Sequence, residues 1–212
     1  MTDNIEVFTQ SSIRITDRAG TIYCDPFRLH GTPKDADYIL ITHDHYDHFS
    51  PEDIEKAATA HTVLVVPENM KGQAKDVAGL VGSVVTVRPG QSYQVGELSF
   101  ETVPAYNNTK RFHPKSAGWV GYLLLLDGQR VYVAGDTDAI RENRSLSCDV
   151  AMIPIGGTYT MDVREAADLI NAMRPSVAIP IHYGSIVGSK GDAQAFRKLV
   201  DDAIDVRIIM QY

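Results

Sequence analysis

The chain is poor in cysteine, in long apolar runs and in positive charge, and each shortage removes a class of function. Its two cysteines, Cys24 and Cys148, belong to no Cys-x-x-Cys motif, so they read as buried thiols rather than as a disulfide or a zinc knuckle. The longest apolar stretch, Trp119 to Leu126, ends at the turn dipeptide Asp127-Gly128. It falls far short of the roughly 20 residues needed to cross a bilayer, so no membrane span is expected. The start, Met1-Thr2-Asp3-Asn4-Ile5-Glu6, has neither a basic segment nor an apolar signal core, which points to a cytoplasmic location. A net charge of −7 leaves no broad basic face, so nucleic acid is not expected as a partner and small anionic or neutral molecules are. No linker or low-complexity segment interrupts the chain.

What is present suits one enzyme domain over residues 1–212, since 44% hydrophobic content is enough to fill a core. Three of the seven histidines fall within His43-Asp44-His45-Tyr46-Asp47-His48, directly after the apolar run Tyr38-Ile39-Leu40-Ile41. That run reads as a buried strand. Imidazoles and a carboxylate are borderline ligands that suit zinc, iron or manganese, and a loop leaving a strand can turn successive side chains toward one point.

The remaining pattern alternates strands and helices, twice over. Glu6 to Ile15, Thr21 to Cys24 and Tyr38 to Thr42 read as strands. A helix follows, with Ser50 as cap, Pro51 in its first position, Glu52 and Asp53 in its first turn and its end near His61. Val63 to Val66 is a short strand, Met70 to Leu80 a helix, and Val84 to Val103 a set of strands broken by Pro89-Gly90 and Gly96. In the second half, Trp119 to Leu126 and Val131 to Ala134 form a hairpin, and Asp149 to Ile155 a buried strand. Thr160 opens a helix to Arg174 whose Val163, Ala166, Ala167, Ile170 and Met173 share a face. A last helix, Asp192 to about Ala203, stripes Phe196, Leu199, Val200 and Ala203, before a closing strand Val206 to Met210.

The pattern His-x-His-x-Asp-His resembles the metallo-β-lactamase superfamily. Two further strands end as that resemblance requires, Val131 to Ala134 leading to Asp136 and Val177 to Ile181 leading to His182. The resemblance implies an αβ/βα sandwich, an α/β fold of two mixed sheets with helices on the outer faces. It also implies one or two divalent ions, Zn, Mn or Fe, in a binuclear site. His43 and His45 would serve metal 1, Asp47, His48 and His182 metal 2, with Asp136 bridging both. Asp25, ending the strand Thr21 to Cys24, either orients a ligand histidine or makes an ordinary Asp-Pro turn.

A narrower resemblance, to L-ascorbate 6-phosphate lactonase-like hydrolases, rests on Ile153 to Met161, Arg164-Glu165-Ala166-Ala167 and Pro180-Ile181-His182-Tyr183. It implies that Tyr159 binds substrate, while Thr160 lines the pocket or caps the helix. One departure stands out. Where the superfamily commonly carries the third histidine of metal 1, this chain has Asn107, a weaker and harder oxygen donor that tilts the preference from zinc toward manganese or iron. His113, six residues on, folds back to replace it, binds the substrate or lies in a surface loop.

The implied chemistry follows from charge. A water shared by two divalent ions has its pKa lowered from about 15.7 toward about 7, and the resulting hydroxide attacks a carbonyl or phosphorus. Asp136 and Asp47 are the catalytic residues, Asp47 also passing a proton to the leaving group. Lys115, with Lys110 and Arg111, forms the only local basic cluster and is expected to attract an anionic group of the substrate. The leading expectation is a cytoplasmic hydrolase of a small ester or lactone, phosphorylated or not, compatible with a homo-oligomer. A phosphodiesterase of the N-acyl-phosphatidylethanolamine phospholipase D type, and a metal-dependent binding or sensing protein with little turnover, are the alternatives.

Overall fold

A computed structural model describes residues 2–211, so positions 1 and 212, the ends of the expected domain, lie outside the described residues. Two sheets form the molecule. The first has six strands in sequence order: β1 (Ile5–Val7), β2 (Ile13–Asp17), β3 (Gly20–Cys24), β4 (Ala36–Leu40), β5 (Ala58–Pro67) and β6 (Ser83–Val87). The second has seven: β7 (Ser92–Val95), β8 (Leu98–Pro104), β9 (Val120–Leu126), β10 (Gln129–Val133), β11 (Val150–Pro154), β12 (Val177–Ile181) and β13 (Asp205–Val206), again side by side in chain order. Each sheet is antiparallel in one part and parallel in the other, β3 to β6 and β10 to β13 being the parallel runs. This is the expected pair of mixed sheets.

The two-residue period of a strand decides what each sheet buries. Along β4 and β5, Leu40 and Val65 point into the core shared with the second sheet, while Ile39, Leu64 and Val66 point to the outer face. There they pack against Ile54 and Ala57 of helix α1 (Pro51–Ala57) and against Met70, Ala74 and Val77. Each fully buried aliphatic side chain contributes roughly 1.5–3 kcal/mol relative to exposure. The outer face of the second sheet is covered by α3 (Val163–Met173) and α4 (Asp192–Leu199), the short α2 (Arg141–Arg144) lying between β10 and β11 in sequence.

Several boundaries differ from the sequence expectation. The strand expected over Glu6 to Ile15 is a hairpin, β1 against β2, with Gln10 at φ 54° in its turn. Helix α1 starts as expected, with the Ser50 hydroxyl accepting from the Asp53 N–H, but stops at Ala57, where a ten-residue strand takes over. The helix expected over Met70 to Leu80 is three short 3₁₀ segments, 68–71, 73–76 and 78–80. Gly72 and Gly79 in that stretch withdraw the propensity a continuous α-helix needs. Asp162, not Thr160, caps α3, in a reciprocal pairing with Glu165. Helix α4 ends at Leu199, which is exposed, so its buried stripe is Ala193 and Phe196 with Val200 just beyond. The closing strand is only Asp205–Val206; Met210 bridges instead to Val7, tying the chain's end to the other sheet.

Candidate metal centre

Four parallel-sheet strands, β3, β4, β10 and β12, release their chemistry at their carboxyl ends. Asp25 follows β3, His43 to His48 follow β4, Asp136 follows β10 and His182 follows β12. Asp25 and His182 leave the strands at φ 45° and 55°, a region that costs ordinary residues energy and that the surrounding bonds must hold. The His182 N–H donates to the Gln10 carbonyl at 2.8 Å and the Asp25 N–H to the Leu40 carbonyl at 3.0 Å. Close approach also requires glycine at two points. A Cβ on Gly135 would lie 2.9 Å from the Thr42 side chain, and one on Gly156 would collide with the His182 carbonyl.

The six residues expected to converge do so. Nε2 of His48 lies 3.4 Å from Asp136 Oδ1 and 3.7 Å from Asp47 Oδ2. Nε2 of His182 lies 3.3 Å from both Asp47 Oδ2 and Asp136 Oδ2. His45 Nδ1 is 3.1 Å from His43 Nε2. Three ligand-like groups emerge: His43 with His45 and His113, His43 with His48 and Asp136, and Asp47 with His48 and His182.

Hydrogen bonds on the far side of the rings fix which nitrogen faces inward. The Thr42 N–H and hydroxyl both donate to Asp25, at 2.8 and 2.7 Å. With its own proton spent, the Thr42 hydroxyl oxygen accepts from His43 Nδ1 at 2.9 Å, while His48 Nδ1 donates to Asp25 Oδ2 at 2.7 Å. Asn107 Oδ1, which can only accept, takes His113 Nδ1 at 3.1 Å. Each of these three rings is therefore protonated at Nδ1 and turns Nε2 toward the centre. His48 Nε2, His113 Nε2 and Asp136 Oδ1 are buried there with no hydrogen bond. Buried polar atoms are normally satisfied, so a set of orphaned nitrogen and oxygen atoms aimed at one space fits a divalent cation.

Charge in the cluster divides along the same lines. Burial, reinforced by the neighbouring imidazoles, lowers the pKa of His43 and His45. Burial acts the same way on His48, but the carboxylates of Asp136 and Asp25 outweigh it and raise the pKa well above the ordinary value. Against its own partial burial, Asp47 is held at about 2 by His182 and His48. Asp136 is also held low, His182 and His48 overcoming the cost of burial.

Three expected site residues depart from the roles expected of them. Asn107 does not stand in for a histidine ligand. Its amide oxygen is taken by the N–H and Nδ1 of His113, and its amide nitrogen donates to Asp138 Oδ1 and the Tyr159 carbonyl. The loop folds back, the Asn107 N–H donating to the His113 carbonyl at 2.8 Å, so that His113 fills the place beside His43 and His45. His113 is thus buried in the cluster and is not part of the open cavity expected to bind substrate. Lys115 also misses that cavity: its Nζ pairs with Glu142 at 3.0 Å and lies over the Tyr106 ring. Lys110 is bound to Asp138 at 2.8 Å. Thr160 is buried behind the helix cap.

Above the cluster opens a cavity of about 230 Å³. His45, Asp47, Asp136 and His182 form its floor; Tyr46, Phe112, Ile186 and the expected Tyr159 form its walls. Sequence reasoning missed three contributors. Gln10 reaches Asp47 and His182 with its amide nitrogen, at 3.5 and 3.4 Å. Trp119 packs its ring 5.0 to 5.6 Å from those of His43, His45 and His113. Phe112 meets Tyr159 edge to face at 4.7 Å. The Trp119 indole sits where an apolar strand begins, and nothing in the sequence around Gln10 marks it.

Comparison with known proteins agrees with this geometry. A family model described as the beta-lactamase superfamily domain matches residues 4–182. A UPF0173 metal-dependent hydrolase of Pyrococcus abyssi is 32% identical over 206 residues, covering 89% of this chain and 88% of its own. A crystal structure from Parabacteroides distasonis, described as a candidate metal-dependent hydrolase, superposes with a TM-score of 0.80 at 31% identity, covering 98% of this chain and 91% of the other. The metallo hydrolase Igni18 of Ignicoccus hospitalis shares the fold, with a TM-score of 0.78 at 22% identity over 97% and 94% of the two chains. By sequence and by fold, the chain belongs to the β-lactamase superfamily and, within it, to the UPF0173 metal-dependent hydrolase family.

Proposed function

We propose that this protein hydrolyses a small carboxylic ester or lactone at a centre of two divalent ions. His43, His45 and His113 would hold one ion and Asp47, His48 and His182 the other, with Asp136 between them. The observation that carries this reading is the position of Asp136: its two oxygens lie 3.3 to 3.4 Å from the Nε2 atoms of His48, His113 and His182, which belong to both groups. Imidazole in place of the expected amide removes the reason to prefer manganese or iron, and the donor set suits zinc. When bound, such ions supply a water acidified to near neutral pH and stabilise the oxyanion that develops on the scissile carbonyl.

The chain's own groups do the rest. Asp47 faces both the cluster and the cavity and is ionised at neutral pH, so its carboxylate can hold a proton and deliver it to the leaving oxygen. Asp25 and Thr42 keep the His48 and His43 rings in one orientation, and the Gln10 amide nitrogen holds Asp47 Oδ2 and His182 Nε2 at the edge of the cluster.

The L-ascorbate 6-phosphate lactonase-like branch is the finer form of this proposal, supported by the Gly156-Gly157 loop passing against His182. A substrate phosphate loses the support of Lys110 and Lys115, both of which are paired with carboxylates. The same pairing weighs against a phosphodiesterase. A non-catalytic binding protein was motivated by Asn107, and His113 removes that motive. Both cysteines are free and buried, which supports a cytoplasmic setting as part of the same reading. The test is a panel of lactones, esters and phosphodiesters offered to protein loaded with zinc, manganese or iron. Turnover of esters or lactones that chelation abolishes and metal restores is expected. Equal turnover by chelated protein, or turnover of phosphodiesters alone, would contradict the proposal.

A further inference from the structure

The cavity over the cluster is walled by rings, and the proposed ions at its floor would be its only positive charge among the described lining residues. Tyr46 and Phe112 are 65% and 45% exposed, two of the five large hydrophobic side chains that the described residues leave open to solvent, and both stand at this mouth. Exposed apolar side chains gathered at one place mark a binding site rather than random surface. They are also held. Phe112 rests edge-on against Tyr159 at 4.7 Å, and Tyr46 against Phe27 at 6.0 Å. Ile186 completes the wall, its N–H donating to the Gln10 side chain at 3.4 Å.

No lysine or arginine lines this space among the described residues. Arg111, next to Phe112 in sequence, is exposed to solvent and outside the lining, and the lysines on either side are committed: Lys110 to Asp138 and Glu165, Lys115 to Glu142 and the Tyr106 hydroxyl. A charged substituent entering here would leave water for aromatic faces without a counter-ion, a transfer that is strongly unfavourable. An aromatic or branched aliphatic group would instead bury its surface and stack edge to face with the existing pair. At about 230 Å³ the cavity lies below the roughly 300–1,000 Å³ of drug-sized sites, so the ligand is small.

We infer that the substrate is a small neutral molecule carrying an aryl or bulky apolar group, which packs between Tyr46, Phe112, Tyr159 and Ile186 while its ester or lactone carbonyl meets the floor. The inference rests on the hydrolase reading for the carbonyl, and on the walls alone for the apolar group. A substrate that places a phosphate or carboxylate between these walls is therefore the wrong class.

Binding separates the two. Benzamide, acetamide and 4-sulfonatobenzamide resist hydrolysis, and a sulfonate is a weak metal ligand, so their affinities for metal-loaded protein report the walls without turnover. Benzamide should bind at least ~10-fold more tightly than either comparator, since one methylene alone is worth ~10–200-fold in an apolar pocket. Phe112→Ala should remove most of that advantage, and Phe112→Leu should restore part of it. The variants keep the fold because the ring is half exposed. Equal or tighter binding of the sulfonate, or benzamide binding indifferent to Phe112→Ala, would overturn the inference. Phenyl acetate, assayed in parallel, tests turnover separately: benzamide selectivity without hydrolysis would uphold the apolar walls and defeat the hydrolase reading.

Discussion

His43, His45 and His113 form a ligand group made only of imidazoles, steadied by neutral partners, the Thr42 hydroxyl on His43 and the Asn107 amide on His113. Across Asp136, the group of Asp47, His48 and His182 contains a carboxylate and has a second one, Asp25, behind His48. Each unit of opposite charge about 4 Å away is worth roughly 4 kcal/mol at an effective dielectric near 20, before the cost of burying it. Two candidate ligand groups of three side chains each thus differ in charge. The carboxylate-rich side should take up a divalent ion first, and the imidazole side should need its neighbour, through Asp136, to hold a second.

The largest effect that would break this comparison comes from removing what the two sides share. Asp136→Ala should reduce hydrolysis to background and leave neither ion firmly held, as metal analysis after dialysis would show. A variant that keeps two ions per chain would mean Asp136 does not join the groups. The next effect is one-sided. Asp25→Asn keeps the shape but takes the charge from behind His48, and losses of ~10–100-fold in metal affinity are typical for such partners. That loss should appear in the tighter of two titration steps. If only the weaker step moves, the assignment of sides is inverted.

Asn107→Ala should act on the other side and more gently, because the partner it removes is neutral. The weaker step should fall by about 10-fold, while stability drops by about 1–3 kcal/mol as the buried Asp138 and Tyr159 groups lose a donor. Denaturant unfolding of metal-free protein measures the second effect independently of the first.

Protons provide the smallest and sharpest distinction. The carboxylates of Asp136 and Asp25, overcoming burial, raise the pKa of His48 well above its ordinary value in metal-free protein. This raised pKa stabilises the metal-free fold below the unfolded value of about 6.5, and the contribution is lost as pH rises through the folded pKa. An ion arriving at Nε2 competes with protonation of that ring, so filling the carboxylate-rich side should release more protons than filling the imidazole side. His43 and His45, lowered by burial, are already neutral, and filling the imidazole side should release none from them. Calorimetric titration in buffers of different ionisation enthalpy reads the two steps separately.

Much of this centre was legible because its ligands follow apolar strands. Ile39 to Ile41, Val131 to Val133 and Val177 to Ile181 are period-free apolar runs of the kind that parallel strands require, and their ends fix where His43, Asp136 and His182 emerge. His113 was only half legible. The resemblance put Asn107 in the place of a ligand, and it took the return of the backbone between Asn107 and His113 to show that its amide oxygen instead orients the His113 ring. Lys115 misled for a related reason. Its partner Glu142 lies 27 residues away, and a charge run in sequence carries no record of such a pairing. Gln10 shows the limit most plainly: its role depends on a left-handed turn between the edge strand β1 and its neighbour β2 that no glycine or asparagine announces.

The central claim, that one side of a shared centre is the stronger, can be observed directly by locating a single ion. Metal-free protein given one equivalent of zinc, crystallised and measured on both sides of the zinc absorption edge, should show anomalous density among Asp47, His48, His182 and Asp136. A second peak among His43, His45 and His113 should appear only as the second equivalent is added. Density that fills the three-histidine side first, or both sides equally at one equivalent, would contradict the account.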